Sequence, residues 1–317
     1  MKPEYKPFVD ALIELAIRED IGDGDHTSLC CIPATEKGRM RLLCKQEGIL
    51  AGIEIAQLVL RRLDPDMQFE QILRDGDRVK PGDVAFYVSG RLQSLLQAER
   101  ILLNIMQRMS GVATQTAVYA DKIKDLHTKV LDTRKTTPGM RVLDKMAVKI
   151  GGGENHRMGL FDMILLKDNH IDFAGGIRPA IEGAKTYLKA KGKNIPIECE
   201  VRSLEDIDEV FAAGGVDRIM FDNFTPELTR QAVAKVAGRI ERRHHARHAA
   251  RIRRNRRGLH IGRRPDAPDQ IARHVVKSLL RWNAGYIVIR ACSCGASSCS
   301  TSSCCSAESS FTATTTP

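Results

Sequence analysis

No apolar run in this chain approaches the roughly 20 residues a helix needs to cross a bilayer. The opening Met1-Lys2-Pro3-Glu4-Tyr5-Lys6 is polar and lacks the apolar centre of a secretory signal, so a cytoplasmic location is expected. Cysteine is sparse through the body of the chain, where only Cys30, Cys31, Cys44 and Cys199 occur. Four scattered thiols in such a compartment argue against a disulfide framework. Acidic residues are nearly absent from the last quarter: residues 242–317 hold 3 Asp/Glu against 14 Lys/Arg, whereas residues 1–241 hold 36 against 35. The net charge of +10 is therefore a property of the tail. What remains is globular in composition, 43% hydrophobic and 28% charged over 317 residues, enough for about two domains.

Apolar residues at Phe8, Leu12, Leu15 and Ala16 predict an amphipathic helix over Pro7 to Arg18. A turn-prone Gly22-Asp23-Gly24-Asp25 loop follows. Short strands are expected at Gly38 to Leu43, at Gly48 to Ile53 and after Val79-Lys80-Pro81-Gly82-Asp83, with a helix over Ile55 to Leu63. This mixture indicates an α+β first domain. A long helix over Leu92 to Met109 comes next, with Met106 and Met109 on its core face.

Beyond it the rhythm changes. Strands are predicted at Val130 to Asp132, Asp162 to Lys167, Ile197 to Val201 and Arg218 to Asp222. Helices are predicted at Val142 to Ile150, Ile177 to Lys189, Leu204 to Ala213 and Pro226 to Ala237. Such alternation means a parallel α/β sheet, open or closed into a barrel.

Each predicted strand ends in polar residues: Asp132-Thr133-Arg134-Lys135, Lys167-Asp168-Asn169-His170, Glu198-Cys199-Glu200 and Asp222-Asn223. A single charged strand end is an ordinary solvated loop. Four in succession, where α/β proteins carry their chemistry, indicate a site. Arg134, Lys135, Arg157 and Lys167, with His156 and Arg100 as further candidates, suit a substrate with several negative charges. Glu200 and Asp222 are hard oxygen donors fit for Mg2+ or sugar hydroxyls. Gly151-Gly152-Gly153 is either an anion cradle of backbone N–H groups or a plain flexible loop. Cys30-Cys31 reads as structural, His26 and His127 as lone loop histidines, and His170 as a structural hydrogen-bonding residue.

The stretch Leu131-Asp132-Thr133-Arg134-Lys135-Thr136-Thr137-Pro138-Gly139-Met140-Arg141 resembles the signature of the quinolinate phosphoribosyltransferases. So do Lys145-Met146-Ala147-Val148, Gly151 through Leu160, and Leu166-Lys167-Asp168-Asn169-His170-Ile171. Glu19 through Thr27 and Ala98-Glu99-Arg100-Ile101-Leu102-Leu103-Asn104 match as well, so the resemblance spans about residues 8–241. It implies an N-terminal α+β sandwich domain (1–112), then an incomplete, seven-stranded type of α/β barrel (113–241) that here lacks its last strands. It implies a homodimer or higher oligomer, with Arg100 reaching the neighbouring subunit's site. The implied reaction joins quinolinate to phosphoribosyl pyrophosphate with Mg2+, releasing pyrophosphate and CO2. The implied substrate-binding residues are Arg100, Thr133, Arg134, Lys135, His156, Arg157, Lys167, Glu200 and Asp222. Of these, Lys135, Lys167, Glu200 and Asp222 are also the implied catalytic set, and Glu200 and Asp222 the Mg2+ ligands.

After Ile240-Glu241 the resemblance stops. The family continues with α/β units whose Ser-Gly-Gly and Val-Gly-Ala turns bind phosphate. Here the chain reads Arg242-Arg243-His244-His245-Ala246-Arg247-His248, then an arginine run over Arg251 to Arg257, then a Ser/Thr/Cys-rich end. Back-translation of Arg243 to Leu280 with suitable synonymous codons, read one nucleotide later, regenerates a family-like segment containing Val-Gly-Ala. An insertion or deletion near codon 241 is therefore expected, with residues 242–317 aberrant and largely disordered.

Three rival readings are weighed. The arginine-rich tail fits non-specific phosphate-backbone binding, but it lacks aromatic interleaving and a reader domain, so no specific nucleic acid is expected. Cys292, Cys294, Cys299, Cys304 and Cys305 fit no paired metal-ligand spacing. A phosphoribosyltransferase with a different acceptor stays open, because spacing does not settle substrate identity.

Overall fold

The fold is that of a computed structural model, which describes residues 1–126 and 128–239. The expectations for His127, the arginine run and the C-terminal cysteines lie outside the described residues, as does the expected disorder of 242–317.

Helix α1 (Lys6–Ile21) accepts Pro7 in its first turn, where a missing N–H costs nothing, and buries Val9 and Ile13 one turn apart. The Gly22-Asp23-Gly24-Asp25 segment is the expected loop, but a helix not expected from the sequence follows it. The Asp25 carboxylate accepts the Ser28 backbone N–H at 3.1 Å and the Ser28 hydroxyl, which starts a short helix, α2 (His26–Cys31).

Next come β1 (Lys37–Leu43), β2 (Gly48–Ile49), α3 (Ile53–Leu63), β3 (Gln68–Gln71), β4 (Arg78–Val79) and β5 (Val84–Arg91). Antiparallel β1, β5 and β3 form one sheet with β5 central, and β2 pairs with β4. Gly52 before α3 holds φ +105, and a Cβ there would press on Met106 and Met109 at 3.2 and 3.3 Å. Both methionines are buried, as their spacing implies.

Helix α4 (Leu92–Lys122) runs well past Met109, because Val112, Ala113, Thr116 and Ala117 continue its buried face. The first core gathers Phe86, Leu95, Met106 and Met109 together with Leu143 and Val148 of α5 (Arg141–Ile150). The predicted strand at Val130 to Asp132 is reduced to one parallel bridge, Leu131 to Glu154.

Strands β6 (Ile164–Leu166), β7 (Ile197–Val201) and β8 (Arg218–Phe221) are parallel and adjacent in chain order. Between them lie α6 (Asp168–Phe173), α7 (Ile177–Lys191) and α8 (Leu204–Ala213), with a further helix across 226–239. The residue order of β7 sorts its two faces. Ile197, Cys199 and Val201 bury against Ile181, Ile207 and Val210 in the second core, so Glu198 and Glu200 point to the opposite face. No described helix is long and apolar enough to cross a membrane.

Candidate active site

Strand register brings the predicted charges together. Leu166 pairs with Cys199, and Val201 pairs with Phe221, so Lys167, Glu200 and Asp222 stand at the carboxyl ends of three neighbouring strands. Lys167 Nζ lies 3.7 Å from Glu200 Oε1, and the Asp222 N–H donates to the Val201 carbonyl at 3.0 Å. Burial raises the Glu200 carboxyl above its ordinary value; Lys167 pulls it down, while Asp222 and Asp168 push it further up. Among the described residues, no three His, Cys, Asp or Glu side chains converge as a metal cage. Glu200 and Asp222 are nevertheless neighbouring hard oxygen donors of the kind Mg2+ takes.

One level deeper, Glu198 faces Arg218 across β7 and β8 and accepts from its Nη1 at 3.3 Å. The same Glu198 oxygen accepts from His156 Nε2 at 2.7 Å. An ionised carboxylate only accepts, so this contact puts the His156 proton on Nε2.

The main chain of His156 is pinned as well. Its N–H donates to Asp132 Oδ1 at 2.8 Å, and its carbonyl accepts from Lys145 Nζ at 3.3 Å. Lys145 Nζ also donates to Asp132 Oδ1 at 2.5 Å. Asn155, with its amide nitrogen turned toward them, donates to Asp132 Oδ2 and to the Lys145 carbonyl at 2.9 Å each. Burial pushes the Asp132 carboxyl up and the Lys145 ammonium down, against the pull of their mutual hydrogen bond.

This knot fixes the two segments that carry the cations. Thr133 Oγ1 accepts the Lys135 N–H at 3.0 Å, which shapes the loop and leaves the Lys135 side chain exposed. Arg141 ties that loop to the neighbouring segment, donating to Thr136 Oγ1 at 3.2 Å and to the Met158 carbonyl at 3.4 Å. Arg157 is 8% exposed and spends Nη1 on the Met163 carbonyl at 3.3 Å. Burial holds its guanidinium below the ordinary value, and the nearby Arg134 charge lowers it further. Arg134 Nε is buried and has no hydrogen-bond partner. Two guanidinium groups close enough to repel, one with an orphaned buried N–H, leave an excess of positive charge of the kind an anion offsets.

Two expectations change. The Gly151-Gly152-Gly153 N–H groups donate to the carbonyls of Ala147, Lys149 and Val148, so they cradle no anion. A Cβ on Gly151 would lie 2.2 Å from the Ala113 carbonyl, so that glycine lets α5 close onto α4. Cys30 and Cys31 are both exposed and pack no core. His170 behaves as read, its Nδ1 accepting the Lys167 N–H at 3.1 Å at the head of α6. Arg100 is exposed on α4, and no described contact joins it to the Asp132 cluster. Glu198, Arg218, Asp132, Lys145 and Asn155 were not singled out from sequence as site residues, although the Glu198/Glu200 spacing of two already put both on one strand face.

Two family models match this chain: the N-terminal domain of quinolinate phosphoribosyl transferase over residues 25–110, and its C-terminal domain over residues 112–248. The chain belongs to the quinolinate phosphoribosyltransferase family. Among its relatives, the chloroplastic nicotinate-nucleotide pyrophosphorylase [carboxylating] of Arabidopsis thaliana is 43% identical, over 76% of this chain and 74% of that protein. The probable nicotinate-nucleotide pyrophosphorylase [carboxylating] of Synechocystis is 38% identical, over 71% of this chain and 75% of that one. The crystal structure of NadC from Streptococcus pyogenes superposes with a TM-score of 0.70 at 38% identity, covering 75% of this chain and 82% of that one. The family fold, an N-terminal domain followed by a C-terminal α/β domain, is therefore the fold of this chain.

Proposed function

We propose that this chain transfers the phosphoribosyl group of phosphoribosyl pyrophosphate to the ring nitrogen of quinolinate, with decarboxylation, to give nicotinate mononucleotide, pyrophosphate and CO2. This is a step of NAD biosynthesis. The observation that carries the reading is the Arg134–Arg157 pair, Arg157 buried and Arg134 half-buried with an orphaned Nε, whose excess positive charge suits a substrate carboxylate.

The residues divide the work as follows. Arg134 and Arg157 bind the two carboxylates of quinolinate, with Thr133 and His156 lining the same pocket. Lys135 and Lys167 meet phosphate oxygens, and Glu200 and Asp222 accept from the ribose hydroxyls. As pyrophosphate leaves, the C1–O bond breaks, positive charge grows on the sugar ring, and the ring nitrogen supplies the new bond. Glu200 and Asp222, on the ribose side, stabilise that positive charge, while Lys135 and Lys167 stabilise the leaving group. Glu200 and Asp222 would hold Mg2+, which would supply Lewis-acid stabilisation of the charge on the leaving pyrophosphate. The carboxylate beside the ring nitrogen then departs as CO2, its electron pair held next to the pyridinium charge until a proton replaces it. The protein only positions and neutralises, so no covalent nucleophile is needed.

We assign the division at 112/113, the incomplete barrel and the homodimer, with Arg100 serving the neighbouring site, on the strength of the family signature. The parallel β6–β7–β8 order supports the barrel. The cytoplasm is the proposed compartment; the Arabidopsis relative is chloroplastic and sets the alternative. The departure of the sequence after Glu241 is proposed to remove phosphate-binding turns from this chain.

Calorimetric titration tests the substrate reading. Quinolinate, with two carboxylates, should bind at least about tenfold tighter than nicotinate, with one, because a charge-assisted contact contributes about 1.5–3 kcal/mol. Equal affinities would remove the dicarboxylate pocket from the account.

A further inference from the structure

Of the thiols in the described residues, two are shut away and two are side by side at the surface. Cys44 and Cys199 are fully buried, and burial pushes their thiols up to about 11 and about 12. Full burial keeps both out of reach of any ligand from solution. Cys30 and Cys31 are both exposed in the last turn of α2, with their sulfurs 3.3 Å apart. Cys30 Sγ–H donates to the Thr27 carbonyl at 3.4 Å, which leaves the Cys31 thiol to donate to Cys30 Sγ. Neighbouring residues normally send their side chains apart; here the helical turn holds both thiols on one open edge.

We propose that Cys30 and Cys31 form a dithiol site for trivalent, thiophilic main-group centres of the arsenic(III) class. The sulfur separation suits that class best. A linear two-coordinate soft ion with metal–sulfur bonds of about 2.3 Å would need its sulfurs about 4.6 Å apart, well beyond 3.3 Å. A pyramidal centre with bonds of similar length and an S–X–S angle near a right angle spans about 3.3 Å, the separation observed. A structural zinc site takes four ligands, and no third His, Cys, Asp or Glu completes a metal cluster among the described residues.

The chemistry balances without an oxidant. An organoarsenic(III) oxide, R–As=O, reacts with the two thiols to form two As–S bonds. The two thiol protons and the oxide oxygen leave as one water, and no atom changes oxidation state. The first As–S bond makes the second intramolecular, which raises retention by about 100-fold or more over a single thiol.

The test uses the full chain and phenylarsine oxide at one equivalent, followed by a wash with excess monothiol and peptide mapping by mass spectrometry. Mapping separates the Cys30–Cys31 peptide from the C-terminal cysteines. The expected result is one phenylarsenic bridge on that peptide, with two protons lost, surviving the monothiol and removed by a 1,2-dithiol. Cys30→Ser and Cys31→Ser should each lower retention by about 100-fold. Both positions are exposed, so circular dichroism should match the parent chain. Two free thiols on that peptide after treatment, or a bridge retained in either single variant, would overturn the proposal.

Discussion

His156 Nε2 lies 2.7 Å from Glu198 Oε2, and both side chains are less than a tenth exposed. Glu198 is thus the anchor that aims His156, although it sits one level below the residues proposed to meet substrate. Glu198→Ala leaves the buried imidazole N–H without an acceptor and should cost about 1–3 kcal/mol in urea unfolding. Glu198→Gln keeps an acceptor and should cost less. Equal losses would mean that charge, including the half-shielded Arg218, matters more than the hydrogen bond.

The Asp132–Lys145 pair is the structural keystone, with Lys145 1% exposed and Asp132 7% exposed. Lys145→Met strands a buried carboxylate and should cost about 3–5 kcal/mol. Adding Asp132→Asn should recover a good part of that loss, because an amide is far cheaper to bury than an unpaired charge. Strictly additive losses in this double-mutant cycle would show that the two residues are not coupled.

On the proposed function, Arg134 and Arg157 trade stability for binding. Arg134→Gln relieves the repulsion that lowers Arg157. The free protein should therefore melt at the same or a higher temperature, while the gain in melting temperature on adding quinolinate shrinks. Arg157→Lys loses the planar fork and should weaken quinolinate binding by about 10- to 100-fold. A fall in melting temperature with unchanged quinolinate protection in Arg134→Gln would reverse the assignment.

Glu200 sets a pH dependence of unusual sign. Its carboxyl is raised above the ordinary 4.5, chiefly by burial, then by Asp222 and Asp168. The folded state therefore holds this proton more tightly than the unfolded chain. The group's contribution is most favourable below pH 4.5 and is lost as pH rises through its folded value. Glu200→Gln should raise stability at neutral pH, flatten the stability profile just above 4.5, and abolish turnover. A variant less stable at pH 7 than the parent would mean that Lys167 contributes more than burial costs.

How much of this was legible depended on range. Strand β7 and helix α8 were read to the residue, because Ile197, Cys199 and Val201 alternate and Ser203 caps the helix with its hydroxyl. Strand β3 was missed: Gln68–Gln71 holds one apolar residue, Phe69, and exists because β5 pairs with it. Helix α2 was missed because its cap, not its apolar pattern, starts it. The strand ends carrying Lys167, Glu200 and Asp222 announced themselves by polarity. The supports did not, since Lys145–Asp132, Arg218–Glu198 and His156–Glu198 join residues 13, 20 and 42 apart, and only the tertiary fold places them together.

The central claim is the reaction, and one assay reaches it most directly: release of pyrophosphate and CO2 from phosphoribosyl pyrophosphate and quinolinate. It should be run on the chain as it stands and on a chain with the alternate reading frame restored after Glu241. The account predicts equimolar release from the restored chain only when quinolinate, phosphoribosyl pyrophosphate and Mg2+ are all present, and a much lower rate from the chain as it stands. No quinolinate-dependent release from the restored chain would contradict the account.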